Sequence, residues 1–303
     1  MTGWLVTGAA GMLGRDVSSV LREAGVPALR FERRELDLTD AGAVTRVLHR
    51  ARPSVVVNCA AWTDVDGAED DESAAWETNA HGVSVLARAC ARAGARLLHV
   101  STDYVFSGDA DRPYPEDAAP GPRSAYGRSK LAGERAVLEA LPHTGTVVRT
   151  AWLYGAHGRN FVRTMAERAA GGGTADVVDD QVGQPTWTRE VAARLLALGR
   201  LPAPAAAGVF HATAGGRATW YDLAQEVYRL CGSDTGRVRP TSSGSLRRPA
   251  PRPAWSVLGH GRWAEVGEPP PAHWRTVLGQ AFTSVVHSDS AQGAATRAPR
   301  GGN

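Results

Sequence analysis

The chain of 303 residues contains only three cysteines, and none of them lies in a CxxC pair or in a Cys/His spacing typical of metal sites. This pattern argues against a disulfide framework and against a zinc site. No apolar run approaches the ~18 residues that a membrane span needs, and the first residues show no basic and apolar signal segment. We therefore expect a cytoplasmic protein with no membrane partner.

An excess of charge of one sign is also missing, because 34 basic residues stand against 31 acidic ones and the net charge is +3. A basic surface field of the kind that binds nucleic acid is therefore not expected, and the partner should be a small molecule. The length is enough for about two domains.

Isoleucine is absent, asparagine occurs four times, and Lys130 is the single lysine among 34 basic residues. Such usage is typical of a GC-rich coding bias that replaces lysine by arginine wherever arginine serves. A retained lysine indicates chemistry that needs a compact ammonium or a tunable pKa. Lys130 is therefore the first candidate for a functional residue.

Apolar strands alternate with helical patterns through the first half of the chain. Because such alternation is typical of βαβ units, it predicts an α/β fold with a Rossmann-type, doubly wound parallel sheet. The predicted strands are 4–7, 26–31, 54–58, 95–100 and 146–149, and the helices that follow the glycine-rich turn are 41–50, 72–93 and 125–141.

Beyond residue 150 the elements become shorter, which predicts a smaller mixed α/β C-terminal domain over 151–286. Residues 1–150 then form the nucleotide-binding domain, which the segment 187–215 rejoins. The stretch 240–253 is rich in Pro, Ser and Arg and is expected to be a loop, and 287–303 a disordered tail. The elements expected here are helices 161–170, 188–198 and 220–230 and strands 175–178 and 208–211.

Gly8, Gly11 and Gly14 lie between the first strand and the first helix, at spacings of three. The missing side chains let the backbone approach a pyrophosphate, and the helix N-terminus offers unpaired N–H groups to its charge. This spacing departs from the G-x-G-x-x-G form. Together with the preceding strand and the following βαβ pattern, it predicts a dinucleotide site.

The residues at the end of the second strand bear on the choice of cofactor. Arg30 and Arg33 would pair with the 2′-phosphate of NADP(H), whereas Glu32 would bind the ribose hydroxyl of NAD(H). NADP(H) is the preferred cofactor and NAD(H) is the alternative.

Tyr126 and Lys130 are four residues apart in a predicted helix, so that phenol and ammonium share one helix face. A neighbouring cation favours the phenolate, which makes the phenol a better proton donor near neutral pH. Thr102 ends the fourth strand, where its hydroxyl can donate to a carbonyl oxygen. These three residues predict a catalytic site for carbonyl reduction.

The Gly-x-x-Gly-x-x-Gly and Tyr-x-x-x-Lys motifs resemble those of extended short-chain dehydrogenases/reductases. Within that superfamily the chain is similar to the dTDP-4-dehydrorhamnose reductase family over roughly residues 3 to 285. The most specific likeness lies in Ser-Thr-Asp-Tyr-Val-Phe at 101–106 and in Asp-Gln-x-Gly-x-Pro-Thr at 180–186. Further similar segments are 57–66, 126–134, 149–155, 160–161 and 252–258.

The resemblance implies an NADPH-dependent reductase of the 4-keto group of a dTDP-linked 6-deoxyhexulose, with Tyr126 as the proton donor. It also implies further cofactor contacts from Met12, Leu13, Asp37, Leu38, Ala60, Ala61, Thr63, Asn79 and Lys130. The substrate contacts that it implies come from Thr102, Asp103, Tyr104, Trp152, Asn160 and Arg252. Asn79 would support Lys130 through water, and Arg252 would lie near the dTDP phosphates.

Two other functions stay open. One is a related dTDP-keto-sugar reductase of antibiotic deoxysugar biosynthesis, such as a dTDP-dihydrostreptose synthase, and the other is a non-catalytic nucleotide-binding regulatory subunit. No His, Cys or carboxylate spacing predicts a metal site, although some members of the family require magnesium. A homodimer is a further prediction for the chain. Five further tryptophans are expected to be packing or surface residues rather than ligands, namely Trp4, Trp62, Trp187, Trp220 and Trp263.

Overall fold

The computed structural model describes residues 3–287, in which twelve strands and twelve helices are found. The strands are β1 (Trp4–Thr7), β2 (Ala28–Phe31), β3 (Val55–Asn58), β4 (Arg96–Thr102), β5 (Gly145–Thr150), β6 (Leu153–Tyr154), β7 (Ala175–Val178), β8 (Val182–Gly183), β9 (Thr186–Trp187), β10 (Gly208–His211), β11 (Ala218–Thr219) and β12 (Val238–Thr241). The helices are α1 (Met12–Glu23), α2 (Ala41–Ala51), α3 (Gly67–Asp70), α4 (Glu72–Trp76), α5 (Gly82–Ala93), α6 (Ala125–Ala140), α7 (Phe161–Ala170), α8 (Thr188–Arg200), α9 (Ala203–Ala206), α10 (Trp220–Leu230), α11 (Gly261–Glu265) and α12 (Trp274–His287).

Six parallel strands form the central sheet in the order β10-β5-β4-β3-β1-β2. The strand order reverses between β1 and β3, as in doubly wound sheets, and this confirms the predicted Rossmann-type α/β class. In such sheets, ligands bind outside the carboxyl ends of the strands at the reversal. The site is therefore expected after β1, β3 and β4.

The sheet is buried on both faces because helices pack on each side of it. On one face, Val6, Val57 and Leu98 pack with helices α1 and α8. On the other face, Val56 and Leu97 pack with helices α2, α5 and α6. In β3 the valines that point to either face are all buried, which explains the continuous apolar run of this strand.

The chain leaves the sheet after β5 and returns to it at β10. Phe210 and His211 pair in register with Val148 and Arg149 of β5. Helix α8 precedes this strand and packs against α1, with Val191 and Leu195 in the same core as Val17. A segment from the second half of the chain thus covers one edge and part of one face of the first half.

The remainder of the second half has its own apolar core, formed by α7, α10, α12 and the parallel pair β7 and β12. Two pairs of two-residue strands lie beside this core. Strands β8 and β11 are antiparallel, and strands β6 and β9 are parallel. This smaller mixed α/β unit agrees with the fold class expected from the shorter elements after residue 150.

Several predicted boundaries were wrong. The predicted helix 72–93 is interrupted by a π-helical segment at Glu77–His81, and the predicted loop 240–253 begins inside β12. Strand 26–31 starts two residues later, at Ala28, because Val26 and Pro27 lie in the turn that follows α1. The predicted tail 287–303 lies outside the described residues except for His287, which ends α12. Within residues 3–287, no helix combines the length and the apolar character that crossing a bilayer demands.

Candidate active site

The glycine-rich turn after β1 packs directly against the segment that follows β3. Gly8 has φ +66°, which glycine adopts without strain, and a Cβ at this position would lie 2.5 Å from the Ala60 nitrogen. A Cβ at Gly14 would overlap the Gly8 carbonyl oxygen. Gly11 is the N-cap of α1 and contributes no side chain. The three glycines therefore let the turn and the start of α1 approach each other and leave the helix N-terminus open to a phosphate.

A first cavity of about 510 Å³ extends from this turn along the ends of β2 and β3. It contains seven of the predicted cofactor residues, and Cys59, Trp62 and Thr78 also line it. The seven are Gly8, Gly11, Arg33, Asp37, Leu38, Ala60 and Ala61. Hydrogen bonds from the backbone and hydroxyl of Thr39 hold the pKa of Asp37 below its usual value. The cavity thus offers the Asp37 carboxylate and the Arg33 guanidinium to a ligand.

The residues after β2 differ in their access to the first cavity. Glu32 and Arg33 both line it, whereas Arg30 is exposed on the edge strand and lies outside its lining. The Glu32 carboxylate is paired with the Arg34 guanidinium at 3.1 Å. Of the two arginines expected to bind a 2′-phosphate, the structure therefore brings only Arg33 to the cavity.

A second cavity of about 440 Å³ lies beside the first, at the ends of β3, β4 and β5. It brings together the three predicted catalytic residues and many of the predicted binding residues, although these are far apart in the sequence. Its predicted residues are Gly11, Met12, Leu13, Gly14, Ala61, Thr63, Thr102, Asp103, Tyr104, Tyr126, Lys130 and Trp152. Gly11, Cys59 and Ala61 line both cavities, so the two form neighbouring parts of one groove.

Tyr126 is placed by the start of α6, where the Ser124 hydroxyl accepts a hydrogen bond from the Gly127 N–H and caps the helix. The phenol is buried beside Thr102, and its ring meets that of Tyr104 edge to face at 5.6 Å. Burial raises the pKa of Tyr126, the hydrogen bond with Thr102 lowers it, and the charge of Asp103 raises it. Tyr126 is therefore a neutral phenol at neutral pH, with its proton available.

The expected lowering of the Tyr126 pKa by Lys130 is wrong for this structure. The Lys130 ammonium donates to the Val100 carbonyl oxygen at 2.7 Å and lies 3.4 Å from the His99 ring. Lys130 is buried, and burial lowers its pKa to about 8, although the charge of Glu134 opposes this. The lysine thus faces the strand β4 and holds its charge weakly, which reduces its effect on the phenol.

Thr102 and Asp103 are linked at the end of β4. The Thr102 hydroxyl donates to Asp103 Oδ1 at 2.9 Å and accepts from the Tyr104 N–H at 3.2 Å. Burial raises the pKa of the Asp103 carboxyl to about 6, although hydrogen bonds from Ser256 and Thr102 oppose this. Asp103 Oδ2 is buried with no partner within the described part of the chain. The carboxyl is therefore close to accepting a proton near neutral pH.

The direct hydrogen bonds of Asn79 go to Trp62 and Ser129, and its support of Lys130 through water stays a prediction. Its Oδ1 accepts from the Trp62 N–H at 2.9 Å, and its Nδ2 donates to the Trp62 carbonyl oxygen and to Ser129 Oγ, each at 3.1 Å. Asn79 lies in the π-helical segment, and its amide is used to hold the Trp62 backbone and α6. These contacts position the wall of the groove at Trp62.

A third cavity of about 430 Å³ lies between the loop after β4 and the second half of the chain. Tyr104 and Arg252 line it, as the substrate prediction requires. Arg252 also forms an ion pair with Asp66 at 2.8 Å. The other lining residues were not among the predicted site residues, and they include Phe161, Gln181, Trp220 and Arg248. Gln181 belongs to the specific 180–186 segment, which is a signal that could have identified it, whereas Trp220 was interpreted as a packing residue.

Asn160 does not line any of the three cavities. Its Oδ1 accepts from the Arg163 N–H at 3.1 Å and caps α7, and its Nδ2 donates to the Gly155 carbonyl oxygen at 2.9 Å. Both polar atoms of the side chain are thus used to begin a helix. A direct substrate contact from Asn160 is not supported, because its neighbour Phe161 occupies the cavity wall.

Within residues 3–287, no group of three or more His, Cys, Asp or Glu side chains is arranged to hold a metal ion. In the second cavity the polar groups are hydroxyls, the Asp103 carboxyl and the Lys130 ammonium.

A family model described as the RmlD substrate binding domain matches residues 1–287. A probable dTDP-4,6-dihydroxy-2-methyloxan-3-one 4-ketoreductase of Streptomyces antibioticus is 55% identical and covers 96% of this chain and 99% of its own. A dTDP-4-dehydrorhamnose reductase of Streptomyces griseus is 53% identical over 93% of each chain. The crystal structure of dTDP-4-dehydrorhamnose reductase from Bacillus anthracis in complex with NADP has a TM-score of 0.87 and 33% identity, covering 93% of this chain and 98% of its own.

Proposed function

The chain belongs to the RmlD substrate binding domain family, and from this we propose that it is an NADPH-dependent reductase of a dTDP-linked keto-sugar. The reaction is the reduction of the 4-keto group of a dTDP-6-deoxy-L-hexulose, as in dTDP-4-dehydrorhamnose reductase. The observation that carries this proposal is the convergence of Thr102, Tyr126, Lys130 and Trp152 in the second cavity, next to the glycine-rich turn.

Tyr126 is the proton donor of the proposed reaction. A nicotinamide cofactor supplies the hydride to the carbonyl carbon when it is bound. The negative charge that develops on the carbonyl oxygen then takes the proton of the Tyr126 phenol, which burial keeps protonated at neutral pH. The buried position of Tyr126 also excludes water from the reacting oxygen.

Thr102 is the second donor to the carbonyl oxygen. Its single hydroxyl proton is engaged with Asp103 Oδ1, so it can turn to the substrate only when this hydrogen bond is released. A carboxyl with a raised pKa accepts a hydrogen bond less strongly once it is protonated. We propose that Asp103 controls this hydroxyl and also contacts the sugar.

The first cavity is proposed to hold the adenosine part of NADP(H). Arg33 lines it, and a guanidinium matches a phosphate bidentately. The Glu32 carboxylate, which would favour NAD(H), is paired with Arg34. These contacts favour NADP(H) and leave NAD(H) as the weaker cofactor.

The third cavity is proposed to hold the nucleotide of the dTDP-sugar. Arg248 and Arg252 supply cationic groups for the two phosphates, and Phe161 and Trp220 supply flat apolar faces for a base. The cofactor domain then comprises residues 1–150 with 187–215, and residues 151–286 mainly bind the sugar nucleotide. A homodimer stays a prediction, which sedimentation of the free chain would test.

The decisive experiment adds a dTDP-4-keto-6-deoxyhexose to the protein with NADPH. We expect a stoichiometric loss of NADPH absorbance and a product reduced at position 4, identified by NMR. Several dTDP-keto-hexoses should be compared, because a related reductase such as a dTDP-dihydrostreptose synthase differs only in the sugar that it prefers. A chain that binds NADPH but oxidises none of it would instead be a regulatory subunit.

A further inference from the structure

Three polar side chains form a row across the buried sheet, at the carboxyl ends of β1 and β3 and beside them on β4. Thr7, Asn58 and His99 are register partners on the adjacent strands β1, β3 and β4. All three are buried, at 1%, 0% and 0% exposure. Central strands of parallel sheets carry mainly apolar residues, so such a row needs an explanation. The row ends at Lys130.

The hydrogen bonds along the row are ordered in one direction. The Thr7 hydroxyl donates to Asn58 Oδ1 at 2.6 Å, and the Ala60 N–H donates to the same oxygen at 3.1 Å. Because a backbone N–H is only a donor, it fixes which end of the Asn58 amide is the oxygen. Asn58 Nδ2 then faces His99 Nδ1 at 2.9 Å.

The orientation of Asn58 determines the tautomer of His99. Asn58 Nδ2 can only donate, so His99 Nδ1 must accept and the ring proton lies on Nε2. Burial and the charge of Lys130 hold the pKa of His99 well below its usual value, which keeps the ring neutral. His99 Nε2 lies 3.4 Å from Lys130 Nζ. The N–H of a neutral imidazole therefore points at the ammonium.

Two donors that face each other repel, whereas a neutral amine can accept from the imidazole N–H. We propose that His99, with its tautomer fixed by Asn58, is a positioning residue that weakens the ammonium form of Lys130 and prepares this lysine to release its proton. The inference rests on the proposed function for its purpose, because a lysine that gives up a proton readily can restore the proton of Tyr126.

The other groups around Lys130 do not weaken its ammonium form in the way that His99 does. Glu134 favours the ammonium, but its carboxylate is bound by Arg149 at 2.7 Å and by the Ser101 hydroxyl at 2.5 Å. The Cys59 thiol is neutral, since burial raises its pKa to about 12. The ionisable groups that remain near the lysine are Tyr126 on α6 and Asp103 after β4, which line the same cavity. His99 is the neighbour of Lys130 whose hydrogen-bonding direction is set by the row.

The sequence makes a direct test available, because Lys130 is the single lysine of the chain. Protein grown with lysine labelled with ¹³C at Cε gives one side-chain resonance to follow, with no assignment needed. In the free full-length chain, we expect its titration midpoint well below the ~10.4 of an unperturbed lysine. His99→Leu should raise the midpoint by roughly one pH unit, which is about tenfold in the proton dissociation constant.

Thr7→Val is the matched control, because it removes a hydrogen bond of the same row while the Ala60 N–H still orients Asn58. We expect the Lys130 midpoint to stay within a few tenths of a pH unit of the wild-type value in this variant. Equal shifts in Thr7→Val and His99→Leu would mean general loosening of the core and would overturn the proposal. No shift in His99→Leu would overturn it as well.

A second measurement needs no folded variant of His99. Two-bond ¹H–¹⁵N correlation spectra of the wild-type chain report the tautomer of each of the nine histidines. We expect one buried, non-titrating histidine with the proton on Nε2, and a proton on Nδ1 of His99 would contradict the inference. These samples contain no sugar nucleotide. The tautomer of His99 is therefore measured independently of whether the chain reduces keto-sugars, and the two proposals can fail separately.

Discussion

The indole rings of Trp152 and Trp220 are stacked with their centroids 3.8 Å apart and their planes within 8°. Trp152 has φ +46°, a left-handed conformation that costs a bulky residue on the order of 1–3 kcal/mol. The Trp152 ring also lies against Gly183, which has no side chain to displace it. Trp152 lines the second cavity and Trp220 the third, so the stacked pair divides the proposed sugar and nucleotide sites.

Gly183→Ala should displace Trp152, because a Cβ at this position would overlap the indole ring. We expect the KM for the sugar nucleotide to rise by roughly 10-fold or more, while the affinity for NADPH changes little. Steady-state kinetics and a separate NADPH titration measure the two effects. Gly279→Ala is the control, since a Cβ there meets no atom within 4 Å. Equal kinetics in the two variants would show that the position of Trp152 does not matter.

Tyr126→Phe should lower turnover by roughly 10²–10⁴-fold, because the phenol proton is lost while the ring still fills its buried place. The dissociation constant for NADPH should stay nearly constant. Tyr228→Phe removes a different buried tyrosine hydroxyl, which donates to the Gly173 carbonyl oxygen, and it serves as the control. Turnover that survives in Tyr126→Phe would remove the phenol from the proposed mechanism.

Asp103 makes stability depend on pH in a defined direction. Its folded-state pKa of about 6 lies above the ~3.9 of an unperturbed aspartate, so the folded chain binds the proton more tightly. The stability from this group is therefore complete below pH ~4 and is lost as the pH rises through about 6. Because Asn stays neutral, the free energy of unfolding of Asp103→Asn, relative to the wild type, should rise by roughly 2–3 kcal/mol between pH 4 and pH 7.

Urea unfolding of Asp103→Asn and wild type at several pH values measures this difference. Asp109→Asn is a useful comparison, because hydrogen bonding to Ser107 holds the pKa of Asp109 below its usual value. The free energy of unfolding of Asp109→Asn, relative to the wild type, should change with pH in the direction opposite to that of Asp103→Asn. A constant difference for Asp103→Asn would mean that its carboxyl ionises in the folded chain as in the unfolded one.

Arg33→Ala should weaken NADPH binding by about 10- to 100-fold, as expected for the loss of a charge-assisted hydrogen bond, and should affect NADH little. Arg50→Ala is the matched control, since Arg50 is exposed on α2 and does not line the first cavity. The ratio of kcat/KM for the two cofactors is the measurement. A ratio unchanged by Arg33→Ala would leave the 2′-phosphate without its proposed partner.

The central sheet was predictable because its strands are buried on both faces and therefore read as continuous apolar runs, as in Val55-Val56-Val57. The two-residue strands β6, β8, β9 and β11 carry no such pattern, since they are too short to show a period. The π-helical break at 77–81 was also hidden, because the apolar spacing on either side of it stays helical. It places the Asn79 amide against Trp62, a contact 17 residues away in the chain.

The site residues were predictable where a motif carried them, and their partners were not. Lys130 stood out by composition alone, yet its contacts with His99 and Val100 come from a strand 30 residues earlier. Asn160 lies in a recognisable motif, but its side chain caps a helix, a use that the same residue type serves in many proteins. Trp220 became a candidate only when α10 was placed beside the third cavity.

Strand β10 has a consequence for how the molecule acquires its shape. The edge of β5 that pairs with Phe210 and His211 would be bare in a fragment ending near residue 150. Such a fragment would expose Val148 and an unpaired strand edge, which invites association with other chains. Ribosomal synthesis must therefore deliver about sixty residues beyond residue 150 before β10 can complete the central sheet, so the sheet depends on both halves of the chain.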